Sequence, residues 1–453
     1  MNVETSVTIV GGGLAGCECA LQLATHGVPV TLIEMRPNAM TPAHRTGALG
    51  ELVCSNSFKG TDPTSATGTL KRELDSLGSH ILRIAWECAV PAGAALAVDR
   101  ERFSRTLTEA VESHPLVEVV RDEATSIPEG DVVIATGPLT SAPFEAALTE
   151  LIGEKRLAFY DAAAPIVDAA TVDQSVVFAA SRYDKGEGAD YLNCPMDRET
   201  YERFATELVA ARRVTRKEFE TAELFQACQP IEEVARRGLD APRFGALKPV
   251  GLTDPATGER PWAVVQLRPE NRERTAYNLV GFQTNLTFSE QRRVFSLIPG
   301  LHDAEFLRYG VMHRNTFIDA PRLLDATLAL RHHRRIRFAG QITGTEGYLE
   351  AAASGLLAAR GVIAERAAAA PLVLPKTTAL GALISYATNP ETAPYQPMHV
   401  NWGLVPPLAP PVRGKRARYA AYATRAAREL AEHLRATALV RHEPVPEGRA
   451  HAD

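Results

Sequence analysis

Short apolar runs separated by glycine mark the N-terminal part of the chain. The first run, residues 6–10, leads into three consecutive glycines, and the helically spaced run CECALQLATHG follows and ends at Gly27. A second short run, VPVTLIE, ends at the acidic Glu34. Short apolar runs bounded by turn residues favour buried strands, whereas a longer run with helical spacing favours a helix. The pattern predicts a strand–helix–strand unit of the kind that builds parallel sheets.

The turn between this first strand and the helix carries the pattern G-x-G-x-x-G. Glu34 lies 18 residues beyond its last glycine, close to the roughly twenty that are typical of dinucleotide-binding folds. In such folds the glycines allow a tight turn and a close approach of backbone to pyrophosphate, the helix N-terminus offers N–H groups to phosphate, and the acid binds ribose hydroxyls. The predicted cofactor contacts are Gly11, Gly12, Gly13, Leu14, Ala15, Gly16 and Glu34.

Two later segments point to the type of dinucleotide. Residues 131–138, DVVIATGP, end an apolar run in Ala-Thr-Gly, and residues 336–348, IRFAGQITGTEGY, precede the helical run LEAAASGLLAARGVIAER. Each alone fits a strand followed by a turn. In this order they resemble the late segments of two-dinucleotide-binding flavoproteins, which an NAD dehydrogenase does not need. FAD is therefore the expected cofactor, and the further predicted contacts are Thr136, Gly137, Gly340, Gln341, Gly347 and Tyr348.

The region between these segments has a mixed pattern. Strand-like runs such as APIVDAA, QSVVFAA and WAVVQLRP alternate with a polar helical run, DRETYERFATELVAARRV. The predicted fold class is α/β: a Rossmann-like, two-dinucleotide-binding FAD domain that is discontinuous, with an α+β insertion domain. The first part of the FAD domain covers residues 1–154, the insertion 155–328, and the second part 329–453, with a Pro-rich stretch and a basic helical run.

Composition narrows the class of protein. The chain has 453 residues, 45% hydrophobic and 23% charged, and no apolar run of membrane-spanning length lacks a proline or a charge. The net charge is −5, whereas proteins that bind nucleic acids are usually basic overall. Any RNA would therefore have to contact local basic patches. The cysteines form no C-x-x-C pair, which argues against a metal site or a disulfide framework and favours a reducing, cytoplasmic location. They are Cys17, Cys19, Cys54, Cys88, Cys194 and Cys228.

Several longer motifs resemble those of one family. They are GGGLAGCECA, IEMRPNAMTPAH with LVCSNSF, PAGAALAVDRERFS, YLNCPM, FQACQPIEEVARRG, FAGQITGTEGYLEAAASG and QPMHVNWGLVPPL, and they span about residues 6–425. On these motifs the chain resembles the bacterial folate- and FAD-dependent tRNA (uracil-5-)-methyltransferases, the TrmFO family. The resemblance implies transfer of a one-carbon unit from methylenetetrahydrofolate to C5 of uridine 54 in the tRNA T-loop, with reduced FAD as electron donor and NADH or NADPH as reductant.

The resemblance also implies two cysteines in the site, Cys228 as the thiol that adds to uracil and Cys54 near the flavin. Uracil C5 is a poor nucleophile, and a thiolate added at C6 makes the ring an enolate whose C5 attacks an activated methylene. A base then removes the C5 proton, a hydride completes the methyl group, and the thiolate leaves. From the residues alone, Cys228 also fits a small buried loop residue. Tyr348 and Asp99 are candidate bases, although both fit cofactor positioning or helix capping better, and no base is assigned.

Cys54 has no single predicted role. It lies in the glycine-flanked stretch GALGELVCSNSFKG, whose serines and asparagine could order a loop over the flavin. Proton relay, capture of the reactive methylene and shielding of the one-carbon unit from water all fit this position. A buried loop thiol without a chemical role is the structural alternative. The other cysteines apart from Cys228 fit packing roles.

Basic residues form two concentrations that could contact RNA. The predicted RNA-binding residues belong to a basic helical run and are Arg413, Lys415, Arg416, Arg418 and Arg425. A second concentration covers residues 331–337, and either one also fits an ordinary solvated face. Charge alone further allows Arg268, Arg272 and Arg274 to meet the anionic tail of folate.

Three other functions share the FAD pattern. The first is a flavoprotein that modifies the wobble uridine of tRNA, and the second is an FAD oxidoreductase acting on a small molecule. The third is a flavin-binding RNA chaperone without catalysis. The expected partners remain tRNA and folate, with no membrane, and the sequence leaves the oligomeric state open.

Overall fold

A computed structural model describes residues 6–41, 43–153, 156–162, 164–184, 186, 189–214, 229–310 and 312–437. In chain order the strands are β1 (Val7–Val10), β2 (Val30–Ile33), β3 (Ser57–Gly60), β4 (Ala89–Val90), β5 (Ala95–Val98), β6 (Val117–Val120), β7 (Asp131–Ile134), β8 (Arg156–Ala162), β9 (Ile166–Asp168), β10 (Phe178–Ala179), β11 (Leu192–Met196), β12 (Ala263–Pro269), β13 (Ala276–Leu279), β14 (Phe306–Arg308), β15 (Met312–Ile318), β16 (Ala329–Leu330) and β17 (His333–Phe338).

The helices are α1 (Leu14–Thr25), α2 (Ala66–Ser76), α3 (His80–Glu87), α4 (Arg100–Glu112), α5 (Ala142–Ile152), α6 (Arg198–Ala210), α7 (Ile231–Arg236), α8 (Phe288–Phe295), α9 (Ala320–Leu323), α10 (Tyr348–Arg366), α11 (Ala379–Thr388) and α12 (Lys415–Ala436).

The strand–helix–strand unit lies at the centre of a mostly parallel sheet with strand order β16–β17–β7–β1–β2–β6. β1 is parallel to both β2 and β7, and Val7 lies opposite Val30 on one side and Asp131 on the other. β17, from the late segment, is parallel to β7. Strands covered on both faces are apolar along their length, as VTIV and DVVI are. The Rossmann-like fold is confirmed, and its sheet takes strands from two distant parts of the chain.

Helices α1 and α10 pack closely because glycine lies at their contact. A Cβ atom on Gly355 would lie 2.1 Å from the carbonyl oxygen of Ala15, and one on Gly16 would lie 1.9 Å from that of Gly11. No side chain fits at either position without moving backbone. The third glycine of the motif therefore has a packing role, and the close approach fixes the N-termini of both helices relative to the sheet.

A second sheet is antiparallel, with strand order β10–β11–β12–β13–β9–β14. Every residue of β12 is buried, and helices α6 and α8 cover the sheet with Phe204, Phe282 and Phe295 in its core. β8 and β15 pair with each other as a separate antiparallel ladder, where the chain leaves and re-enters the first unit. The short sheet β3–β5–β4 lies in the first unit.

Most of the buried apolar residues that the structure describes belong to two large cores, with two small clusters beside them. The first contains residues between 7 and 152 and again between 317 and 430, and the second contains residues between 164 and 301. Phe317, Ile318 and Leu324 pack in the first core although they precede residue 328. We therefore propose that the insertion unit ends before Phe317, with β15 as its return path.

The Pro-rich stretch is fixed between α2 and α12. The indole of Trp402 stacks on Tyr422 of α12, with ring centroids 5.4 Å apart and planes 17° apart, and its N–H donates to the carbonyl of Thr64 at 3.0 Å. Arg425 of α12 donates to the carbonyls of Pro406 and Pro407, at 2.5 and 3.1 Å. The basic helix is thereby attached to the first unit.

Candidate active site

A cleft of about 1040 Å³, including its solvent-open part, lies at the carboxyl ends of β1, β7 and β17. Parallel sheets bind ligands at this edge. The N-termini of α1 and α10 both border it, so main-chain N–H groups from two helices face the same space. The predicted cofactor residues that line it are Gly11, Gly13, Leu14, Ala15, Glu34, Thr136, Gly137, Gly340, Gln341, Gly347 and Tyr348.

The other two predicted glycines lie behind this lining. The N–H of Gly12 donates to Oε2 of Glu34 at 2.7 Å, so this glycine orients the acid. Gly16 packs against the carbonyl of Gly11. A Cβ on Gly13, by contrast, would meet no atom within 4 Å, so this glycine leaves room for a ligand at the N-terminus of α1.

Arg36 holds the carboxylate of Glu34 in its ionised form. Its Nε donates to Oε1 of Glu34 at 2.8 Å and its main-chain N–H donates to the same oxygen at 3.0 Å. Burial opposes ionisation, but the hydrogen bonds and charge of Arg36 lower the pKa of Glu34 below its usual range. Oε2 of Glu34 accepts the hydrogen bond from the N–H of Gly12, and the Glu34 side chain still lines the cleft. The acid can therefore accept further hydrogen bonds from hydroxyl groups of a ligand.

His44 and Thr41 border the same end of the cleft, and the sequence patterns did not single them out. Their Nδ1 and Oγ1 atoms are 2.5 Å apart. Burial, together with the charge of Arg36, lowers the pKa of His44 to about 4. The imidazole is therefore neutral at physiological pH and offers one donor and one acceptor. Both residues belong to the motif IEMRPNAMTPAH, and this motif was the feature of the sequence that could have indicated them as cleft residues.

The opposite end of the cleft is formed by the first turn of α10. Gly347, at φ 122°, has a conformation that L side chains rarely adopt, and a Cβ there would lie 2.6 Å from Nζ of Lys59 and 2.2 Å from Oε2 of Glu350. Lys59 and Glu350 form an ion pair at 2.7 Å. This pair ties β3 to α10, which places the loop before β3 beside the start of the helix.

That loop carries Cys54, and its backbone is bound to Tyr348. The N–H of Cys54 donates to the phenolic oxygen of Tyr348 at 3.0 Å. Tyr348 is the first residue of α10 and lines the cleft. Burial, and secondarily the charge of Cys54, raise the pKa of the Tyr348 hydroxyl well above its usual range, so the phenol stays neutral. The structure therefore brings these two predicted residues together at the cleft.

Guanidinium groups surround the Cys54 loop. Arg308 donates to the carbonyl of Val53 at 2.5 Å, and Arg100 donates to the carbonyls of Leu52 and Cys54. Arg100 is itself paired with a carboxylate at 2.7 Å, whereas Arg308 has no acidic partner among the residues the structure describes. Nearby positive charge favours the thiolate of a cysteine over its thiol. The loop thus provides an electropositive setting for Cys54.

Asn56 connects the loop to the insertion sheet. Its Nδ2 donates to the carbonyls of Val98 and Pro269, at 2.9 and 3.0 Å, and its Oδ1 accepts from Nε of Arg268 at 2.8 Å. Arg268 is buried and also reaches Asn278 at 3.5 Å. Its guanidinium is committed to this internal network, so it is not available for the anionic tail of folate. The sequence contained no signal for the Asn56–Arg268 contact.

Cys228 lies outside the described residues, but the chain on either side of it is described. Val214 donates its N–H to the carbonyl of Asn285 at 2.9 Å, and Ile231 donates to that of Gln283 at 2.7 Å. The carboxylate of Glu232 accepts from the N–H of Asn285 at 2.7 Å. Both flanks of the segment that contains Cys228 are therefore fixed on residues 283–285.

The remaining cysteines in the described residues are packing residues. Cys17, Cys19, Cys88 and Cys194 are buried, and burial raises the thiol pKa of each. Asp99 caps α4, since its Oδ1 accepts from the N–H of Arg102 at 2.9 Å. The capping interpretation of Asp99 is thus confirmed.

The predicted RNA-binding residues in α12 and just before it divide into two groups. Arg413, Lys415, Arg416 and Arg418 are exposed and form no ion pair in the part of the chain that is described. Lys415 lies 5.5 Å from the centre of the Tyr419 ring. Arg425, by contrast, is half-buried on proline carbonyls, which explains its position without RNA.

The second basic concentration is partly used within the fold. Arg337 is buried and paired with Glu365. Arg335 is paired with Asp131 at 3.0 Å and Arg334 lies 3.9 Å from Asp325, but both side chains are exposed. Among described residues there is no helix long and apolar enough to cross a membrane, and no cluster of three or more potential metal ligands.

The parallel sheet, the two helix N-termini and the acid that ends β2 define a dinucleotide-binding flavoprotein fold. A sequence model of the family described as Glucose inhibited division protein A matches residues 6–369. The structure is similar to that of Aquifex aeolicus GidA, with a TM-score of 0.69 at 17% identity over 98% of this chain and 75% of that one.

Proteins with similar sequences show which family within this fold the chain belongs to. A protein of Thermosynechococcus vestitus named methylenetetrahydrofolate–tRNA-(uracil-5-)-methyltransferase TrmFO is 54% identical over 96% of this chain and 95% of its own length. One of the same name from Symbiobacterium thermophilum is 55% identical over 94% of this chain and 97% of its own length. The chain belongs to the TrmFO family.

Proposed function

We propose that this chain methylates C5 of uridine 54 in the T-loop of tRNA, with methylenetetrahydrofolate as one-carbon donor and FAD as redox cofactor. The chain belongs to the TrmFO family, and the observation that carries the proposal is the position of Cys54 in it. The main-chain N–H of Cys54 donates to the hydroxyl of Tyr348 at 3.0 Å, at the edge of a dinucleotide cleft. A small-molecule oxidoreductase has no need of a thiol held there among arginines.

The cleft residues fit FAD. The N-terminus of α1 with the open position at Gly13 would hold the pyrophosphate, and Glu34 would bind the ribose of the adenosine half. The first turn of α10, with Gly347 and Tyr348, would lie at the ring system. When bound and reduced, the flavin would supply the hydride that turns a transferred methylene into a methyl group.

Tyr348 and the arginines have positioning roles in this proposal. Tyr348 fixes the Cys54 backbone, and its neutral hydroxyl adds no charge to the cleft. Arg100 and Arg308 hold the loop carbonyls and place positive charge beside the Cys54 loop. A fixed loop at the mouth of the cleft also excludes water from the reactive one-carbon unit.

Cys228 is proposed as the nucleophile toward the uracil ring. Its thiolate forms a bond to C6, and the electron pair displaced from the C5–C6 double bond moves onto the C4 carbonyl as an enolate. C5 then attacks the methylene and forms a C–C bond. A base takes the C5 proton, and the bond between the methylene and the nitrogen of its donor breaks, with the electron pair leaving on that nitrogen. Hydride adds to the resulting exocyclic methylene as the C6–S bond breaks, which restores the ring and the thiolate. Residues 283–285 would support this segment, since they bind the chain before and after it.

The exposed face at the start of α12 is the proposed phosphate contact. Arg413, Lys415, Arg416 and Arg418 carry four positive charges without an acidic partner in the described structure. Counterion release from such contacts makes binding dependent on salt. A tRNA substrate also places the proposed activity in the cytoplasm.

Wobble-uridine modification is the main alternative within the same fold. The 54% identity to proteins named uracil-5-methyltransferases, against 17% to GidA, favours the T-loop reaction. The test is to incubate purified holoenzyme with an unmodified tRNA transcript, methylenetetrahydrofolate and NADPH without oxygen, and to locate 5-methyluridine by nuclease mapping. A transcript with cytidine at position 54 should give no product. Modification at the anticodon, or none at all, would overturn the proposal.

A further inference from the structure

Three aromatic rings form a stack that reaches the surface of the insertion unit. Phe288, the first residue of α8, lies on Tyr309 with ring centroids 4.8 Å apart and planes 17° apart. Tyr309 lies on Phe306 at 5.2 Å and 12°. Phe288 is 54% exposed, which is unusual for so large an apolar side chain. This aromatic stack of Phe288, Tyr309 and Phe306 therefore ends at solvent.

The aromatic stack is held rigidly from behind. Nε2 of Gln291 donates to the carbonyl of Gly310, and the N–H of Gly310 donates back to Oε1 of Gln291, both at 2.8 Å. Gln291 is fully buried, so this pair of hydrogen bonds fixes the Tyr309 segment to α8. Phe306 continues inward to Phe295 at 6.3 Å. Such a preformed surface loses little conformational entropy when a planar ligand binds.

The aromatic stack lies between the supports of the two proposed site cysteines. Arg308, which separates Phe306 from Tyr309 in the chain, reaches the carbonyl of Val53 beside Cys54 at 2.5 Å. On the other side, Phe288 directly follows residues 283–287, which bind the chain on both sides of the Cys228 segment. The aromatic stack therefore adjoins both Arg308, which binds the Cys54 loop, and the residues that bind the flanks of the Cys228 segment.

The rim of the aromatic stack carries exposed arginines. Arg212 is 77% exposed and Arg293 46% exposed; both contact Glu290, and Arg293 also contacts Glu207, so two carboxylates balance these two arginines. Arg292 is exposed and makes no ion pair among described residues. A ring surface with flanking arginines suits a group that is planar on one side and anionic on the other, which is the chemistry of a nucleotide.

We propose that the aromatic stack is the platform for an unpaired base of the substrate RNA, a neighbour of the uridine being methylated. The proposal rests on the proposed tRNA substrate and adds a subsite to it. A uridine can present C5 and C6 to two protein groups only after it has left its stacked neighbours. A displaced neighbour recovers stacking on an aromatic ring, as in other proteins that bind unpaired RNA.

The test compares Phe288→Ala, Phe288→Tyr and the double variant Phe288→Ala with Tyr309→Ala. Phe244→Ala is the matched control, because Phe244 is an 81% exposed phenylalanine of the same unit outside the stack. Kd for a fluorescently labelled unmodified tRNA transcript is measured over a salt series, along with bound flavin and Tm. Loss of one stacked base predicts a roughly 5- to 150-fold rise in Kd for Phe288→Ala. The double variant should bind tRNA no more tightly than Phe288→Ala does. Phe288→Tyr and Phe244→Ala should bind tRNA like wild type.

The salt series separates stacking from charge. Phe288→Ala should leave the slope of log Kd against log salt unchanged, because no phosphate contact is lost, whereas Arg292→Gln should reduce it. Wild-type affinity in a folded, flavin-containing double variant would overturn the platform. So would unchanged tRNA binding together with a smaller assembly than wild type in sedimentation, which would assign the stack to contact with a second copy of the chain. If wild type forms no 5-methyluridine, the proposed function itself fails, a distinguishable result.

Discussion

The main-chain N–H of Cys54 donates a hydrogen bond to the hydroxyl of Tyr348, and the two residues are 294 positions apart in the chain. The bond joins a loop that follows β2 to the first residue of the helix that follows β17. It makes the position of the thiol depend on the late segment of the discontinuous domain. In the proposed function, binding of the flavin at α10 and placement of Cys54 are therefore linked.

Tyr348→Phe should lower kcat while flavin binding persists. The ring still fills its buried position, but the N–H of Cys54 loses its acceptor, which costs about 1 kcal/mol of loop order. We expect a fall in kcat of roughly five- to tenfold, with an unchanged flavin-to-protein absorbance ratio. Tyr386→Phe, which removes a hydroxyl bound to the carbonyl of Gln396 at 3.1 Å, is the control and should keep full activity. Equal rates in the two variants would contradict the role of the bond.

Gly13→Ala and Gly16→Ala should fail in different ways. A methyl at Gly16 would lie 1.9 Å from the carbonyl oxygen of Gly11, so this variant should lose both Tm and flavin. A methyl at Gly13 meets no protein atom within 4 Å, so the apoprotein should keep its Tm and lose only affinity for FAD. Thermal unfolding with and without added FAD checks both. A stable Gly16→Ala protein with normal flavin content would be inconsistent with the packing.

Asn56→Ala should loosen the contact between the Cys54 loop and the insertion sheet. It removes three hydrogen bonds and leaves the buried guanidinium of Arg268 without its 2.8 Å acceptor. An unsatisfied buried charged group costs about 3 kcal/mol. We expect that loss in urea unfolding together with a lower kcat. Asn38→Ala removes an exposed hydrogen bond to Arg121 and is expected to change stability by less than about 0.5 kcal/mol.

Glu73 should make stability depend on pH. Its carboxylate accepts from the N–H groups of Ala379 and Leu380 at the start of α11, and burial raises its pKa from 4.5 to about 7. Between these values the folded state binds more protons than the unfolded state, so the free energy of unfolding falls as pH rises. The fall is on the order of 3 kcal/mol. Urea titrations at pH 5 and 7.5 should show it in wild type, and Glu73→Gln should reduce it. An identical pH dependence in both proteins would exclude Glu73 as its source.

Arg416→Gln with Arg418→Gln should weaken tRNA binding and reduce its salt dependence. Each lost phosphate contact removes roughly 0.7 to 0.9 from the magnitude of the slope. Arg334→Gln with Arg335→Gln, two exposed arginines that lie beside Asp325 and Asp131, is the charge-matched control and should change the slope less. Equal effects of the two pairs would mean that binding follows total charge and not the α12 face.

Local patterns were sufficient to predict the first unit of the fold. β1, α1 and β2 follow from apolar runs and glycines within 30 residues, and α12 matches its basic helical run from Lys415 to Ala436. Contacts between distant residues left no such pattern. Asn56 and Arg268 are 212 positions apart, and nothing local to either indicates the other. Arg425 shows the same limit, because its charge suggested RNA while its acceptors are prolines of a neighbouring stretch.

The most direct test of the proposed reaction follows the carbon atom. Holoenzyme, NADPH and an unmodified tRNA transcript are incubated with methylenetetrahydrofolate labelled at its methylene carbon, in parallel with methyl-labelled S-adenosylmethionine. The proposal predicts label from folate alone in the methyl group of residue 54, and its loss in Cys228→Ala with flavin retained. Label from S-adenosylmethionine, label at another nucleotide, or a fully active Cys228→Ala protein would contradict it.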